Sequence, residues 1–393
     1  MRIVSVTHAY PRHDGDLAGA FIERLLIALQ RRGHAVEVVT PADGGVGGRS
    51  EVRGVTVTRV RYAPARWETL AHRGTMASAV RSPQGLAALA SLIAAQARAV
   101  RAASRTAPPV DVVHAHWWIP GGISAWLAGS RGAAPYVVTL HGTDVAILGR
   151  SALARAVARR VLRGAAAVTA VSSYLAQRVA DATGLDAGAI VVQPMPLDTA
   201  RLSHHSAGGA GIVTVGRLTE QKRVSLILDA LAALKRRGRR LALTIVGDGP
   251  ARSSIAERAG ALGVAEQVRF VGGVEPARVP EAIGDADAFA FAAVGEGFGL
   301  AAAEALALGV PVAAMEGGGG VTDVVPRTGA GRVVPDGDVE AFASALDEMA
   351  GSPDARRLAA ELGGRLKQEL APETVAARFE GIYQRVASEA RRA

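Results

Sequence analysis

Short β-branched runs alternate with longer Ala/Leu/Arg stretches of helical period along most of the chain, the pattern of βαβ units wound on a parallel sheet. The pattern occurs twice. In the first half the apolar runs predict strands at Arg2–Ser5, Ala35–Val39, Val55–Val60, Val110–His114, Tyr136–Thr139, Ala166–Ala170 and Ile190–Val192. In the second half they predict Gly211–Val215, Ala242–Val246, Val268–Val271, Ala286–Phe291, Val310–Ala314 and Gly331–Val334. Helices fill the gaps, among them Ile22–Arg32, Ser151–Arg163 and a last stretch after Pro372. The expected fold class is α/β, with two Rossmann-like doubly wound domains over 1–200 and 201–372, joined through "SHHSAGGAG". Residues 373–393 form a C-terminal helix that is expected to cross back to the first domain.

Composition narrows this picture. Aromatic residues make up 4% of the 393, which suits helices packed closely on parallel strands better than an aromatic-rich β-sandwich. The chain has no cysteine, which excludes disulfides, thiolate metal sites and thiol nucleophiles and fits a reducing compartment. A net charge of +9 permits a polyanionic partner, but only three of the 45 basic residues are lysines and the arginines are scattered. A nucleic-acid-binding protein would instead show a clustered cationic face with interleaved aromatics. Met1–Val6 lacks the apolar core of a secretory signal, and the window Gly85–Val100, broken by Gln96 and Arg98, reads as too short and too polar for a membrane span. A cytoplasmic protein is expected. Peripheral contact with an anionic membrane stays open through Ser151–Arg163, which sets Leu153, Val157 and Val161 on one side and Arg155, Arg159 and Arg163 towards another.

Ligands of open parallel sheets gather at the carboxyl ends of strands, so the polar residues there are the candidates. After Val215 comes "GRLTEQKR", where Gly216 permits a tight turn and Arg217 and Lys222 bracket a loop fit to clamp a diphosphate. After Val246 comes "VGDGP", with Gly247 and Asp248 in a turn common at strand ends. The richest segment is "GEGFGLAAAEALALG". Its glycines surround Glu296 before a helix carrying Glu304, and they let Glu296 fold back over the helix start. That helix reads as apolar on every side, which would make Glu304 a buried charge in need of a ligand hydroxyl. "EGGGGV" reads as a loop shaped by close backbone approach. His114 and His116 stand at alternate positions with no third metal ligand nearby, and Asp285 and Asp287 read as turn residues, so no metal site is assigned.

The segments "VGRLTEQK", "IVGDGP", "VRFVGGV", "EGFGLAAAEALALGVPV" and "GAGRVVPDGD" resemble, in order and approximate spacing, the retaining GT-B glycosyltransferases of family 4, whose signature is Glu, seven residues, Glu. The resemblance extends over nearly the whole chain, with "HAHWWIPGG" and "TLHGTD" similar to strand ends of the family's first domain. It implies two domains facing across a cleft and a UDP- or GDP-sugar as co-substrate, without cofactor or metal. The implied acceptor is a sugar, small molecule or lipid-linked molecule, and the implied setting is cell-surface polysaccharide or glycolipid assembly. By this resemblance Arg217 and Lys222 hold the diphosphate, Glu296 the donor-sugar hydroxyls and Glu304 the ribose, while Val271–Val274 line the base. By the same resemblance His141 would sit beside the donor sugar and Gly19 would approach the diphosphate. Gly216, Gly247, Asp248, Val271, Gly272, Gly297, Phe298, Gly299 and Leu300 complete the implied donor site. Two places depart from the family pattern: "PMPLD" stands for the commoner Pro-Asn-Gly-Val-Asp, and Thr322 and Asp323 replace the usual Pro and Glu.

The implied reaction is transfer with retention of anomeric configuration, the leaving diphosphate being stabilised by Arg217, Lys222 and the helix start. A sugar-nucleotide epimerase of the same plan is the alternative. It needs an acid and a base, whereas the Glu pair in its glycine frame favours transfer.

Overall fold

The computed structural model describes residues 1–72, 76–80, 82–130, 134–203 and 208–392; the centre of the linker reading, 204–207, lies outside the described residues. The chain divides into two compact units, Met1–Pro196 with Pro372 onward, and Leu197–Ala371.

The first unit is built on eight strands: β1 Arg2–Val6, β2 Ala35–Pro41, β3 Gly48–Val52, β4 Val55–Val60, β5 Val112–His116, β6 Tyr136–Leu140, β7 Ala167–Ala170 and β8 Ile190–Val192. Their order across the sheet is β3-β4-β2-β1-β5-β6-β7-β8, parallel except for β3. The reversal of order falls at β1 and β5. Two sequence expectations shift here. The fifth strand runs on to His116 instead of ending at His114. The polar run of β3, unforeseen in the sequence, is an antiparallel edge joined to β4 through Arg53 and Gly54, both in the left-handed region.

The apolar window belongs to a longer helix, Pro83–Ser104, capped by Ser82 accepting from Gly85 N. At 22 residues it is long and apolar enough to span a membrane by length and composition, which corrects the expectation drawn from the shorter window. Its Leu92, Ala95, Ala97 and Val100 are buried, and Gln96 is buried with them, donating to Thr7 O at 2.8 Å. Helix Ala152–Arg163 buries Ala158, Val161 and Leu162, so the apolar side read from the sequence is divided: Val161 is core and Leu153 is exposed. Arg155 and Arg159 are turned onto the carbonyls of Leu148 and Thr183.

The C-terminal helix Pro372–Arg392 packs along helix Ala20–Arg31 of the first unit, burying Val375, Phe379, Ile382, Tyr383 and Val386. The Tyr383 hydroxyl pairs with His114 Nδ1 at 2.7 Å, and His114 Nε2 pairs with Thr139 Oγ1 at 2.7 Å.

The second unit carries six parallel strands, β9 Ile212–Val215, β10 Leu243–Val246, β11 Val268–Gly272, β12 Ala288–Phe291, β13 Val312–Met315 and β14 Gly331–Val334, in the order β11-β10-β9-β12-β13-β14. Strands β10, β12 and β13 are buried throughout, as continuous apolar runs in parallel sheets are. Helices Val224–Arg236 and Val339–Gly351 pack together, as do Leu300–Ala307 and Pro353–Glu369. Asp287, one of the two turn acids ahead of β12, accepts from Gly209 N at 2.6 Å and Gly211 N at 2.9 Å, the turn role expected of it.

Candidate active site

In the second unit the order reverses at β9, which lies between β10 and β12, and a small crevice lies between the ends of β9 and β12. Thr214, Gly216, Lys222, Phe291 and Ala293 line it, with about 10 Å³ between them. That is room for one water. A larger molecule has to lie over the strand ends.

The loops themselves are packed backbone on backbone. A Cβ on Gly247 would fall 2.0 Å from Gly216 O, and Leu218 N donates to Asp248 O at 2.9 Å. Gly247 N donates to Gly272 O at 2.8 Å, tying in the end of β11. Asp248 is exposed and its carboxylate accepts from Gly249 N, while Val271 is 40% exposed at the rim. Across the crevice Val294 N donates to Gln221 O at 2.9 Å and Gln221 Nε2 to Val294 O at 3.2 Å.

The glycine-rich segment after β12 is laid against the loop after β13. Gly295 N donates to Gly317 O, Glu296 N to Gly318 O and Gly320 N to Glu296 O, at 2.8, 3.1 and 2.9 Å. This is the close backbone approach that "EGGGGV" suggested. Gly299, at φ 88°, opens helix Leu300–Ala307, and a Cβ there would lie 3.0 Å from Val321 Cβ. Phe298 is buried in this frame, Gly297 half-buried, and Leu300 stands at the surface.

Glu296 is thereby aimed at Lys222, and the two form an ion pair of 2.8 Å with each side chain about a quarter exposed. The structure thus joins two residues that the sequence placed 74 positions apart in separate roles. Arg217 is exposed and makes no ion pair among the described residues. Glu304 is half-buried, so the expectation of a fully buried charge is corrected: one side of this short helix reaches solvent.

Two residues of the frame escaped the sequence reading. Arg223, in a left-handed conformation, donates from Nε to Ala292 O at 2.7 Å and from Nη2 to Asp336 at 2.6 Å. Arg223 holds the Asp336 carboxyl below its usual range, and Gly317 N assists. The signal was present, since Arg223 ends "GRLTEQKR" and Asp336 lies within "GAGRVVPDGD", but neither residue was given a role there.

The first unit has its own cluster at the carboxyl ends of β1, β5 and β6. His8, His116 and His141 surround Trp117, whose ring centroid lies 4.1 Å from His8 and 4.4 Å from His141. His116 Nδ1 and His141 Nε2 are 3.1 Å apart. Burial keeps His8 down at about 3 and His141 well below the normal histidine range, so both rings are neutral at pH 7. Buried Asp144 fixes this corner, accepting from His141 N and Gly142 N with one oxygen and from Trp118 N with the other. Gly19, the N-cap of helix Ala20–Arg31, is buried against Ala9 O.

Family models match both units: residues 18–196 match the glycosyl transferase 4-like domain and residues 204–363 match glycosyl transferases group 1. The D-inositol 3-phosphate glycosyltransferase of Gordonia bronchialis is 30% identical over 377 residues, 86% of this chain and 78% of that protein. The chain belongs to the group 1 glycosyl transferases. A further relative, the GDP-mannose-dependent alpha-(1-6)-phosphatidylinositol monomannoside mannosyltransferase of Mycolicibacterium smegmatis, is 36% identical over 255 residues, 60% of this chain. The match spans 65% of that relative, just under two thirds of its length. Among solved structures, the sucrose-phosphate synthase of Thermosynechococcus elongatus superposes with a TM-score of 0.78 over 99% of both chains at 20% identity, a likeness of fold. The two α/β units are those of the GT-B architecture.

Proposed function

We propose that this group 1 chain transfers a sugar from a nucleotide-diphosphate donor to an acceptor hydroxyl, with retention of anomeric configuration and without a metal ion. The observation that carries the reading is the Lys222–Glu296 pair, held beside the start of helix Leu300–Ala307 by a glycine frame without protruding side chains. The dependence of the mycolicibacterial relative on GDP-mannose supports a nucleotide-sugar donor, and GDP- and UDP-sugars are both candidates.

Arg217 and Lys222 neutralise the diphosphate, together with the N–H groups that open the helix. Glu296 accepts hydroxyls of the transferred sugar, Glu304 accepts those of the ribose, and the Val271–Gly272 strand end borders the base. The bond from C1 to the diphosphate oxygen breaks with its electron pair leaving on the diphosphate. The acceptor oxygen forms its bond to C1 on the same face, and its proton passes to the departing phosphate oxygen.

Thermal-shift screening of UDP- and GDP-sugars tests the donor assignment. One nucleotide sugar is expected to raise the melting temperature in the native chain, and Glu304→Ala to remove most of that shift. Absence of any stabilisation by a nucleotide sugar would overturn it. NMR of the glycoside product reads retention from the anomeric coupling, and isomerised donor without transfer would favour an epimerase.

A further inference from the structure

Arg223 and Asp336 have no part in the proposed transfer, yet they connect its two charged residues. Arg223, next to Lys222, donates from Nε to Ala292 O at 2.7 Å, just past β12. Its two terminal nitrogens fork onto Asp336, Nη2 to Oδ1 at 2.6 Å and Nη1 to Oδ2 at 3.2 Å. Asp336, just past β14, also accepts from Gly317 N, and a Cβ on Gly317 would lie 2.3 Å from Oδ1, so the loop after β13 rests on that carboxylate. Gly317 O in turn accepts from Gly295 N at 2.8 Å, and Glu296 reaches Lys222 Nζ at 2.8 Å. Arg223, Asp336, Gly317, Gly295, Glu296 and Lys222 thus close one ring of contacts through the segments that follow β9, β12, β13 and β14.

The backbone adds a second observation. Arg223 stands at φ 46° and ψ 40°, a left-handed conformation that glycine adopts freely and a residue with a Cβ adopts at a cost. Such a conformation persists where the surroundings over-determine it. Here the fork and the bond to Ala292 O do so. The turn at Arg223 separates the short 3-10 segment Glu220–Lys222 from helix Val224–Arg236, so it sets the direction in which Lys222 leaves the loop. The Asp336 side chain is 45% exposed, and a pair so open to water adds little to folding. Its effect is on geometry.

We infer that Arg223, braced by Asp336, is a positioning residue for the transfer: it fixes where Lys222 and Glu296 stand toward the diphosphate and the sugar, and touches neither. This rests on the reading of Lys222 as the cation that meets the diphosphate.

Calorimetric titration of the full chain with GDP and with UDP tests it, since each probe presents the diphosphate without a sugar. Arg223→Gly removes the side chain and relieves the left-handed backbone together. Its melting temperature is expected to stay close to that of the native chain, while the nucleotide that binds is held about tenfold more weakly. Asp336→Ala, which leaves the turn at Arg223 untouched, is expected to weaken binding likewise. Arg223→Lys keeps the charge but not the fork, and is expected to recover only part of the affinity. The deciding measurement is a double-mutant cycle. In a Lys222→Met background Arg223→Gly is expected to cost less than about twofold, because the group it positions is gone. Melting curves certify folding, and Asp336→Ala takes the place of Arg223→Gly in the cycle if the glycine variant does not fold. Losses that add in the cycle, native affinity in both folded variants, or full recovery with lysine overturn the assignment. Each of these, in a chain that binds a nucleotide, removes this inference alone, whereas a native chain that binds neither GDP nor UDP loses the donor reading and this inference with it.

Discussion

Lys222 and Glu296 are each about a quarter exposed, so their 2.8 Å contact is screened by water and is worth under about 1 kcal/mol to folding. The position of the pair gives it another use. If Lys222 meets the leaving diphosphate, Lys222→Met should leave the melting temperature within a degree or two while weakening nucleotide-sugar binding tenfold or more. A double-mutant cycle with Glu296→Gln, read by melting and by titration, separates the two effects. A large loss of stability with unchanged binding would make the pair a structural clasp. The Tyr383–His114 contact has the opposite balance. Tyr383→Phe leaves a buried imidazole nitrogen without its partner, at a cost of about 1–3 kcal/mol. A melting temperature lowered by several degrees, with nucleotide-sugar affinity unchanged, is the expected outcome. A variant that melts with the native chain would show that His114 finds another partner.

At the scale of elements, apolar runs located thirteen strands within about two residues, because a parallel strand buried on both faces is apolar along its whole length. Strand β3, Gly-Arg-Ser-Glu-Val, has no such run, since it is an exposed edge held by backbone pairing and a left-handed turn. The donor-side loops were legible for a related reason. Glycines that backbones approach closely cannot be exchanged, and Gly247 illustrates how severe the constraint is. Gly247→Ala drives a Cβ to 2.0 Å from a backbone oxygen at a φ of 132°, so the loops after β9 and β10 must separate. Loss of nucleotide-sugar binding with a folded second unit is expected, measured by titration alongside circular dichroism. What stayed hidden was long-range: nothing in the sequence says that Tyr383 reaches His114, or that Asp336 lies under Arg223. Helix Ala152–Arg163 shows the limit of periodicity in the other direction. Its arginine face is genuine, but Arg155 and Arg159 are bound to carbonyls, which leaves Leu153 and the last-turn arginines for any anionic membrane. Flotation with anionic liposomes that is unchanged in Leu153→Ser with Arg163→Ser would remove this helix as the contact.

For the molecule as a whole, the buried histidines make acid stability unequal between the units. His8 and His114 are held at about 3, and His116 and His141 well below the normal range, each chiefly by burial. In the unfolded chain each titrates near 6.5. Between about pH 6.5 and 3 the folded state therefore binds fewer protons than the unfolded state, and stability falls as pH falls. Their contribution is fully present above pH 6.5 and is lost progressively on acidification, each adding a slope of up to about 1.4 kcal/mol per pH unit. The buried carboxyls Asp144 and Glu23, raised by burial, run the other way but are only two against four. All six groups belong to the first unit. The described part of the second unit has no histidine, and its Asp336, held low by Arg223, loses its contribution only at more acid pH. All four tryptophans also lie in the first unit, so their fluorescence reports its unfolding alone while circular dichroism reports both. Lowering the pH from 7.5 to 5 is expected to move the fluorescence transition to much lower temperature and to split it from the later part of the dichroism curve. Coincident transitions at pH 5, or a fluorescence midpoint that does not move, would mean that the histidines take up protons in place without unfolding the unit.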